Sequence, residues 1–234
     1  MSLDPQEASV LLEKLIRAKI KKPLCFIGGR GIGKSSIVKQ VAHRLDFQCI
    51  DVRLALDTPE DVAGWPRPTE DSVKYLMTDW VKLTHERRGG IVFFDEIDRA
   101  PLPVRQALFE VMTEYKVRRH PLGEDWYLVF AMNPDNGEYQ VEPLDPAFER
   151  RMIRVIVEPT TTAWLQWAKH NTSPQVVQFI EANPQYLFNK ENIEMKVQFD
   201  PDAWGGMVSE LVKADLTSNE LINVLSGVVG KEAA

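Results

Sequence analysis

The sequence has little of what builds covalent frameworks or metal centres. Two cysteines, Cys25 and Cys49, and four histidines, His43, His85, His120 and His170, occur without ligand spacing, which excludes a disulfide scaffold and the usual zinc modules. Each cysteine lies in an apolar run, Leu24-Cys25-Phe26-Ile27 or Phe47-Gln48-Cys49-Ile50. Both are therefore expected as buried free thiols in a reducing compartment. No apolar run approaches the length of a membrane span. Met1-Ser2-Leu3-Asp4-Pro5 is not a basic stretch leading into a hydrophobic one, so no secretory signal is expected. A cytoplasmic protein with no membrane segment is the expectation. Positive charge is also in deficit: 28 Lys and Arg stand against 34 Asp and Glu, for a net charge of −6. A dedicated nucleic-acid binder usually carries a basic face, so this balance argues against one. It leaves room for a local basic path.

What is present suits a folded chain. Of 234 residues, 44% are hydrophobic and 26% charged, enough apolar material for a core. Asp4-Pro5 reads as a helix start, with Asp4 as N-cap. An apolar stripe through Val10, Leu11, Leu12, Leu15, Ile16 and Ile20 follows, with Pro23 as its end. Five short apolar runs read as strands: Leu24 to Ile27, Phe47 to Val52, Ile91 to Phe94, Tyr127 to Met132 and Arg154 to Val157. Helical patterns alternate with them, including Ile37 to Leu45 and Val104 to Glu114, which predicts a parallel sheet with helices on both faces. Gly64-Trp65-Pro66-Arg67-Pro68 reads as a break, and Arg118 to Asp125 as a polar turn. After Pro159 only helices are expected, at Ala163 to Lys169, Pro174 to Glu181, Pro201 to Ala214 and Ser218 to Val229. Thr160 to Thr162, Ser173, Asp200 and Thr217 stand as N-cap residues. The expected organisation is an α/β nucleotide-binding domain over residues 1–158 and a helical lid over 159–234.

One segment carries a complete chemical pattern. Gly28-Gly29-Arg30-Gly31-Ile32-Gly33-Lys34-Ser35 lies between a buried strand and an amphipathic helix, the context a phosphate loop requires. Glycines let backbone N–H groups turn inward around phosphate oxygens. The following helix adds its positive end. Lys34 is placed to reach the β- and γ-phosphates of ATP, and Ser35 to offer a hydroxyl to Mg²⁺. Ser36, next in line, belongs to the same nucleotide-binding segment.

A second pattern follows the run Ile91 to Phe94. Asp95 and Glu96 stand at its carboxyl end, where open α/β sheets bind their ligands. Asp95 fits the role of a carboxylate holding Mg²⁺, and Glu96 that of the general base for the attacking water. Asn133 ends the Tyr127 to Met132 strand, where its amide can orient that water or serve as an Asn-Pro turn.

Longer stretches narrow the reading. Asp95-Glu96-Ile97-Asp98-Arg99-Ala100 resembles the "DEINRA" box of the MoxR branch of AAA+ ATPases. Ala131-Met132-Asn133-Pro134 is similar to that branch's sensor 1 box, and Leu144-Asp145-Pro146-Ala147-Phe148-Glu149-Arg150-Arg151-Met152 to its "LdpAlldRF" box. The resemblance implies a P-loop NTPase fold, an AAA+ core with a five-stranded parallel sheet and a small C-terminal all-helical lid. It implies Mg²⁺-dependent ATP hydrolysis and a homo-oligomeric ring, by analogy a hexamer. An arginine finger acting in trans aligns best with Arg151, with Arg150 beside it as the alternative. The implied activity is remodelling of a protein partner, often one with a von Willebrand A domain. A nucleic-acid motor is the alternative, suggested by Arg87-Arg88 and Arg118-Arg119-His120.

The resemblance also identifies two inserts. Asp61 to Lys82 is similar to a helix-2 insert with Trp65 and Pro66 near its tip, and Arg118 to Trp126 to a hairpin before sensor 1. Both are open to reading as surface loops. Asp202 falls where a sensor 2 arginine is expected. Either the alignment slips there, or Asp202 points away, or the protein works without sensor 2. Trp164 and Trp167, spaced i and i+3, are expected to pack the lid against the sheet.

Overall fold

The computed structural model describes residues 2–134, 144–187, 201–231 and 233. By internal contacts it divides into two compact units, Met1–Gly29 with Lys34–Val157, and Arg30–Gly33 with Glu158–Ala234.

The first unit is a three-layer α/β structure. Its sheet joins β1 (Leu24–Ile27), β2 (Gln48–Arg53), β5 (Gly90–Asp95), β8 (Trp126–Met132) and β9 (Ile153–Ile156) in the order β2-β5-β8-β1-β9. Every pairing is parallel. The expected five-stranded parallel sheet is thus the observed one. The chain leaves β1 for the far edge at β2, returns through β5 and β8, then crosses β1 to β9. That reversal places a topological switch beyond the carboxyl ends of β1 and β8, where such sheets hold their ligands.

Local chemistry sets the elements. Helix α1 (Pro5–Arg17) opens with a capping box, Asp4 accepting from Gln6 and Glu7 while the Glu7 carboxylate accepts the Asp4 N–H. It stops at Arg17, well before Pro23. The Ala18 N–H caps Ile16 and Lys14, and Lys19 turns left-handed at φ 55°. Ile20 therefore leaves the apolar stripe and is exposed. Helix α2 (Lys34–Arg44) buries Ile37, Val38, Val41 and Ala42. Helix α5 (Leu102–Glu114) buries Val104, Leu108, Val111 and Met112. Aromatic rings tie the core: Phe94 stacks on Phe130 at 4.9 Å, and Trp80 meets Phe94 edge-on at 5.6 Å. Cys25 is buried as expected, whereas Cys49 on the edge strand is half-buried.

Between β2 and β5 the structure departs from the sequence reading. After α3 (Pro59–Ala63), the expected break at 64–68 is a strand, β3 (Trp65–Pro68), paired antiparallel with β4 (Val73–Leu76). Trp65 pairs with Leu76, so it stands at the base of this hairpin, and Thr69 to Ser72 form its tip. Helix α4 (Asp79–Glu86) follows. The polar turn expected from Arg118 is part of a second hairpin, β6 (Lys116–Val117) with β7 (His120–Pro121), with Arg118 left-handed at φ 56°. A short helix, α6 (Pro146–Glu149), precedes β9.

The described residues of the second unit form helices and loops. Helices α7 (Thr161–Asn171), α8 (Pro174–Ala182), α9 (Pro201–Ala203), α10 (Ser209–Leu211) and α11 (Ser218–Val229) surround a core of Trp164, Val176, Ile180, Trp204, Val208, Leu225 and Val229. The helix expected from Pro201 to Ala214 is interrupted by a π-helical turn, Trp204–Val208, at Gly205-Gly206. A Cβ on Gly205 would stand 2.7 Å from the Trp167 ring, so this close approach needs glycine. Trp164 donates its indole N–H to the Pro201 carbonyl at 3.1 Å. Trp164 thus lies in this unit's own core, while Trp167 is 40% exposed with its ring over Gly205. Asp200 lies outside the described residues.

Candidate nucleotide site

Residues singled out in the sequence converge beyond the carboxyl ends of β1, β5 and β8. The ladder between β1 and β8 runs past the strand end, because the Gly28 N–H donates to the Met132 carbonyl at 3.1 Å. Gly31 and Gly33 have φ of 71° and 90°, the left-handed backbone that glycine alone adopts freely. Helix α2 begins at Lys34 and its Nζ donates to the carbonyls of Gly28 at 2.6 Å and Gly29 at 2.8 Å. Burial pulls the Lys34 ammonium below the ordinary lysine value, while the carboxylates of Asp95, Asp98 and Glu96 push the other way. Ser36 lies on the same first turn, exposed.

Ser35 and Asp95 meet directly. Ser35 Oγ donates to Asp95 Oδ2 at 3.1 Å, and the other carboxylate oxygen accepts the Glu96 N–H at 2.9 Å. One hydroxyl beside one carboxylate is a hard-oxygen pair that fits Mg²⁺, an ion that keeps several waters and shares its remaining ligands with phosphates. Among the described residues no cluster of three or more His, Cys, Asp or Glu side chains forms a self-sufficient metal site.

Glu96 sits in the left-handed region, φ 52° and ψ 46°, at the start of the 3₁₀ turn Ile97–Arg99. Lys19, Asp46, Tyr115 and Arg118 share this region, which surrounding structure must hold in a non-glycine residue. The Glu96 carboxylate is half-exposed and paired with Arg99 at 3.4 Å. Asn133, 3% exposed, donates its amide N–H to Asp98 Oδ2 at 2.9 Å. Asp98 was not among the candidate residues. It is 1% exposed, and its sequence signal is its place within the 95–100 segment, two residues after Glu96.

The two arginines before β9 differ. Arg151 donates to Thr113 Oγ1 at 3.2 Å and to the Ala147 carbonyl at 2.5 Å, with its guanidinium 5.0 Å from the Phe109 ring. Arg150 is exposed and makes no side-chain hydrogen bond or ion pair among the described residues. Asp202 is exposed on α9. No helix among the described residues is long and apolar enough to cross a membrane.

Comparison with known proteins agrees with this geometry. The family model described as AAA domain (dynein-related subfamily) matches residues 23–152, more than half of the chain. The sequence is 21% identical to midasin of Giardia intestinalis over 170 residues, 69% of this chain and 4% of midasin. It is 26% identical to the Holliday junction branch migration complex subunit RuvB 1 of a Synechococcus species over 95 residues, 40% of this chain and 21% of that protein. The chain thus spans a small part of the length of both relatives. Among solved structures, the RuvB Holliday junction branch migration motor of Thermotoga maritima superposes with a TM-score of 0.55 at 15% identity, covering 98% of this chain and 65% of that one. The shared fold is that of an AAA+ P-loop NTPase with C-terminal helices. The chain belongs to the dynein-related subfamily of AAA domains, and it is a nucleotide-binding, ATP-hydrolysing enzyme.

Proposed function

We propose that this chain is a MoxR-like ring ATPase that uses ATP hydrolysis to remodel a protein partner. The observation that carries the reading is the meeting of Ser35 with Asp95, with Glu96 and Asn133 at neighbouring strand ends. The fit of the 95–100, 131–134 and 144–152 segments to the MoxR boxes supports the finer assignment. Residues 1–158 serve as the nucleotide-binding domain and 159–234 as its lid, acting in the cytoplasm as a homo-oligomer, in the simplest case a hexamer.

The residues take the following parts. Backbone N–H groups of Gly28 to Ser36 surround the ATP phosphates, and Lys34 exchanges the Gly28 and Gly29 carbonyls for β- and γ-phosphate oxygens. Ser35 and Asp95 would hold Mg²⁺, which would offset phosphate charge as it develops. A water oxygen attacks the γ-phosphorus, the bond to the ADP oxygen breaks, and the water's proton passes to Glu96. For that, the Glu96 carboxylate must release Arg99, and the exposure of both side chains makes the pair easy to part. Asn133 orients the attacking water. A guanidinium from the Arg150–Arg151 pair of a neighbouring subunit offsets charge on the transferring phosphoryl group.

Glu96→Gln tests the reading. It should retain ATP binding within a few-fold and lose turnover by about 10² or more, trapping a nucleotide-bound assembly. Turnover at the wild-type rate would remove Glu96 from the base role.

A second reading, a motor acting on DNA, has one specific observation behind it, the likeness to RuvB. ATPase stimulation by DNA that fades steeply with salt would favour it. Stimulation by a von Willebrand A domain protein, with DNA inert, would favour the first.

A further inference from the structure

We propose that Asp98 is a positioning residue for hydrolysis, acting through Asn133. The inference rests on the reading of Asn133 as the group that orients the attacking water. Asp98 and Asn133 are 35 positions apart and both buried, at 1% and 3% exposure, with Asn133 Nδ2 at 2.9 Å from Asp98 Oδ2. An ionised carboxylate only accepts hydrogen bonds, so the Asn133 group that faces it must be the NH₂. The direction in which Asn133 presents its Oδ1 and its second N–H is therefore set by Asp98. Without such a partner an asparagine amide can turn end for end at little cost, and half of its orientations would present the wrong group to water.

The location fits positioning better than fold support. Asp98 lies on the 3₁₀ turn that begins at Glu96, and Asn133 follows the last residue of β8, the strand paired with β5. One hydrogen bond thus ties the turn bearing the base to the segment bearing the water-orienting amide. The carboxylate is poorly served as a structural group: Oδ1 is buried and has no hydrogen-bond partner among the described residues. Burying a carboxylate with an acceptor unsatisfied costs stability. A turn needing only closure would do better with a smaller or neutral side chain. In a dry setting, however, a charge-assisted bond holds its donor more firmly than a neutral one.

The experiment compares full-length Asp98→Ala, Asp98→Ser, Asp98→Asn, Asn133→Ala and the double variant D98A/N133A, reading kcat and KM for ATP separately. Serine keeps a polar group but is too short to reach Asn133. Asparagine keeps an acceptor oxygen at the same place. The expected result is a fall in kcat of about tenfold in the alanine and serine variants, the scale on which partners behind a reacting group act. KM should stay within about twofold, and Asp98→Asn, whose neutral amide can present either end to Asn133, should fall between wild type and Asp98→Ala in kcat. The double variant should be no slower than Asn133→Ala alone, because the two residues act as one unit. Wild-type kcat in both Asp98→Ala and Asp98→Ser, alongside an impaired Asn133→Ala, overturns the inference. So do losses that add in the double variant, or a parallel loss of ATP binding. Wild-type turnover in Asn133→Ala instead overturns the reading of Asn133 itself. If Asp98→Ala does not fold, the serine and asparagine variants carry the same comparison.

Discussion

Ser35 Oγ stands 3.1 Å from Asp95 Oδ2, joining the first turn of α2 to the end of β5. The bond brings together the two oxygens that the proposed site offers to Mg²⁺. Ser35→Ala should raise the magnesium concentration needed for half-maximal ATPase activity by about tenfold, and Asp95→Asn should depress turnover at any magnesium level. Chelation of divalent cations should abolish turnover in all three proteins. A magnesium titration of steady-state ATPase activity checks this, and a serine variant with an unchanged midpoint would remove Ser35 from the metal site.

The arginine pair yields a test of assembly. Arg151 must give up Thr113 and Ala147 to reach outward, and both contacts are at exposed positions where water can replace the guanidinium. Arg151→Ala should lose about 10³ in turnover, while Arg150→Ala stays within a few-fold. Mixing Arg151→Ala subunits with Lys34→Ala subunits should recover activity, since one supplies an intact nucleotide site and the other an intact finger. An inactive Arg150→Ala beside an active Arg151→Ala transfers the role to Arg150.

Gly64 ends α3 with φ 89°, and a Cβ there would lie 2.5 Å from the Leu76 carbonyl oxygen. Both the backbone region and the contact exclude a side chain. Gly64→Ala should cost about 1–3 kcal/mol of stability, measured by denaturant unfolding. A neutral result would mean that the hairpin base yields without cost.

Burial pushes the Cys25 thiol up to about 12, and the half-buried Cys49 is also raised. Thiolate, the reactive form, is therefore scarce at Cys25 in mildly alkaline buffer. Alkylation of native protein in such a buffer should leave Cys25 unmodified and label Cys49 slowly, while denaturant releases both. Mass mapping of the two peptides reads the outcome, and rapid native labelling of Cys25 would contradict its burial.

The sheet was legible because its three central strands, β1, β5 and β8, are short apolar runs buried on both faces, while the edge strands β2 and β9 alternate buried and exposed residues. The phosphate loop and the Asp95-Glu96 pair were legible because their chemistry demands fixed residue types at fixed spacing. The β3–β4 hairpin was hidden by Pro66 and Pro68, which normally argue against a strand. Here all eight strand residues are exposed on an isolated two-stranded ribbon, where missing ladder donors matter little. The Asp98–Asn133 bond was invisible for a different reason. No local pattern links positions on separate strand ends, and only the order β5-β8 brings them together. The π turn at Trp204–Val208 answers to the Trp167 ring over Gly205, a tertiary contact that helical periodicity does not encode.

Leu3 extends the sheet by one residue beyond β9, its N–H bonded to the Ile156 carbonyl at 2.9 Å in a bridge with Val157. That residue acts as a stop at an otherwise open margin. At the opposite margin β2 presents Gln48, Asp51 and Arg53, with Asp51 paired to Lys39 at 3.2 Å. Polar and charged side chains there discourage another strand from adding on. Neither margin is built to template a sheet shared between copies. In the proposed ring the contacts would therefore fall to helices and loops, and subunits could part and rejoin without breaking a common β-ladder.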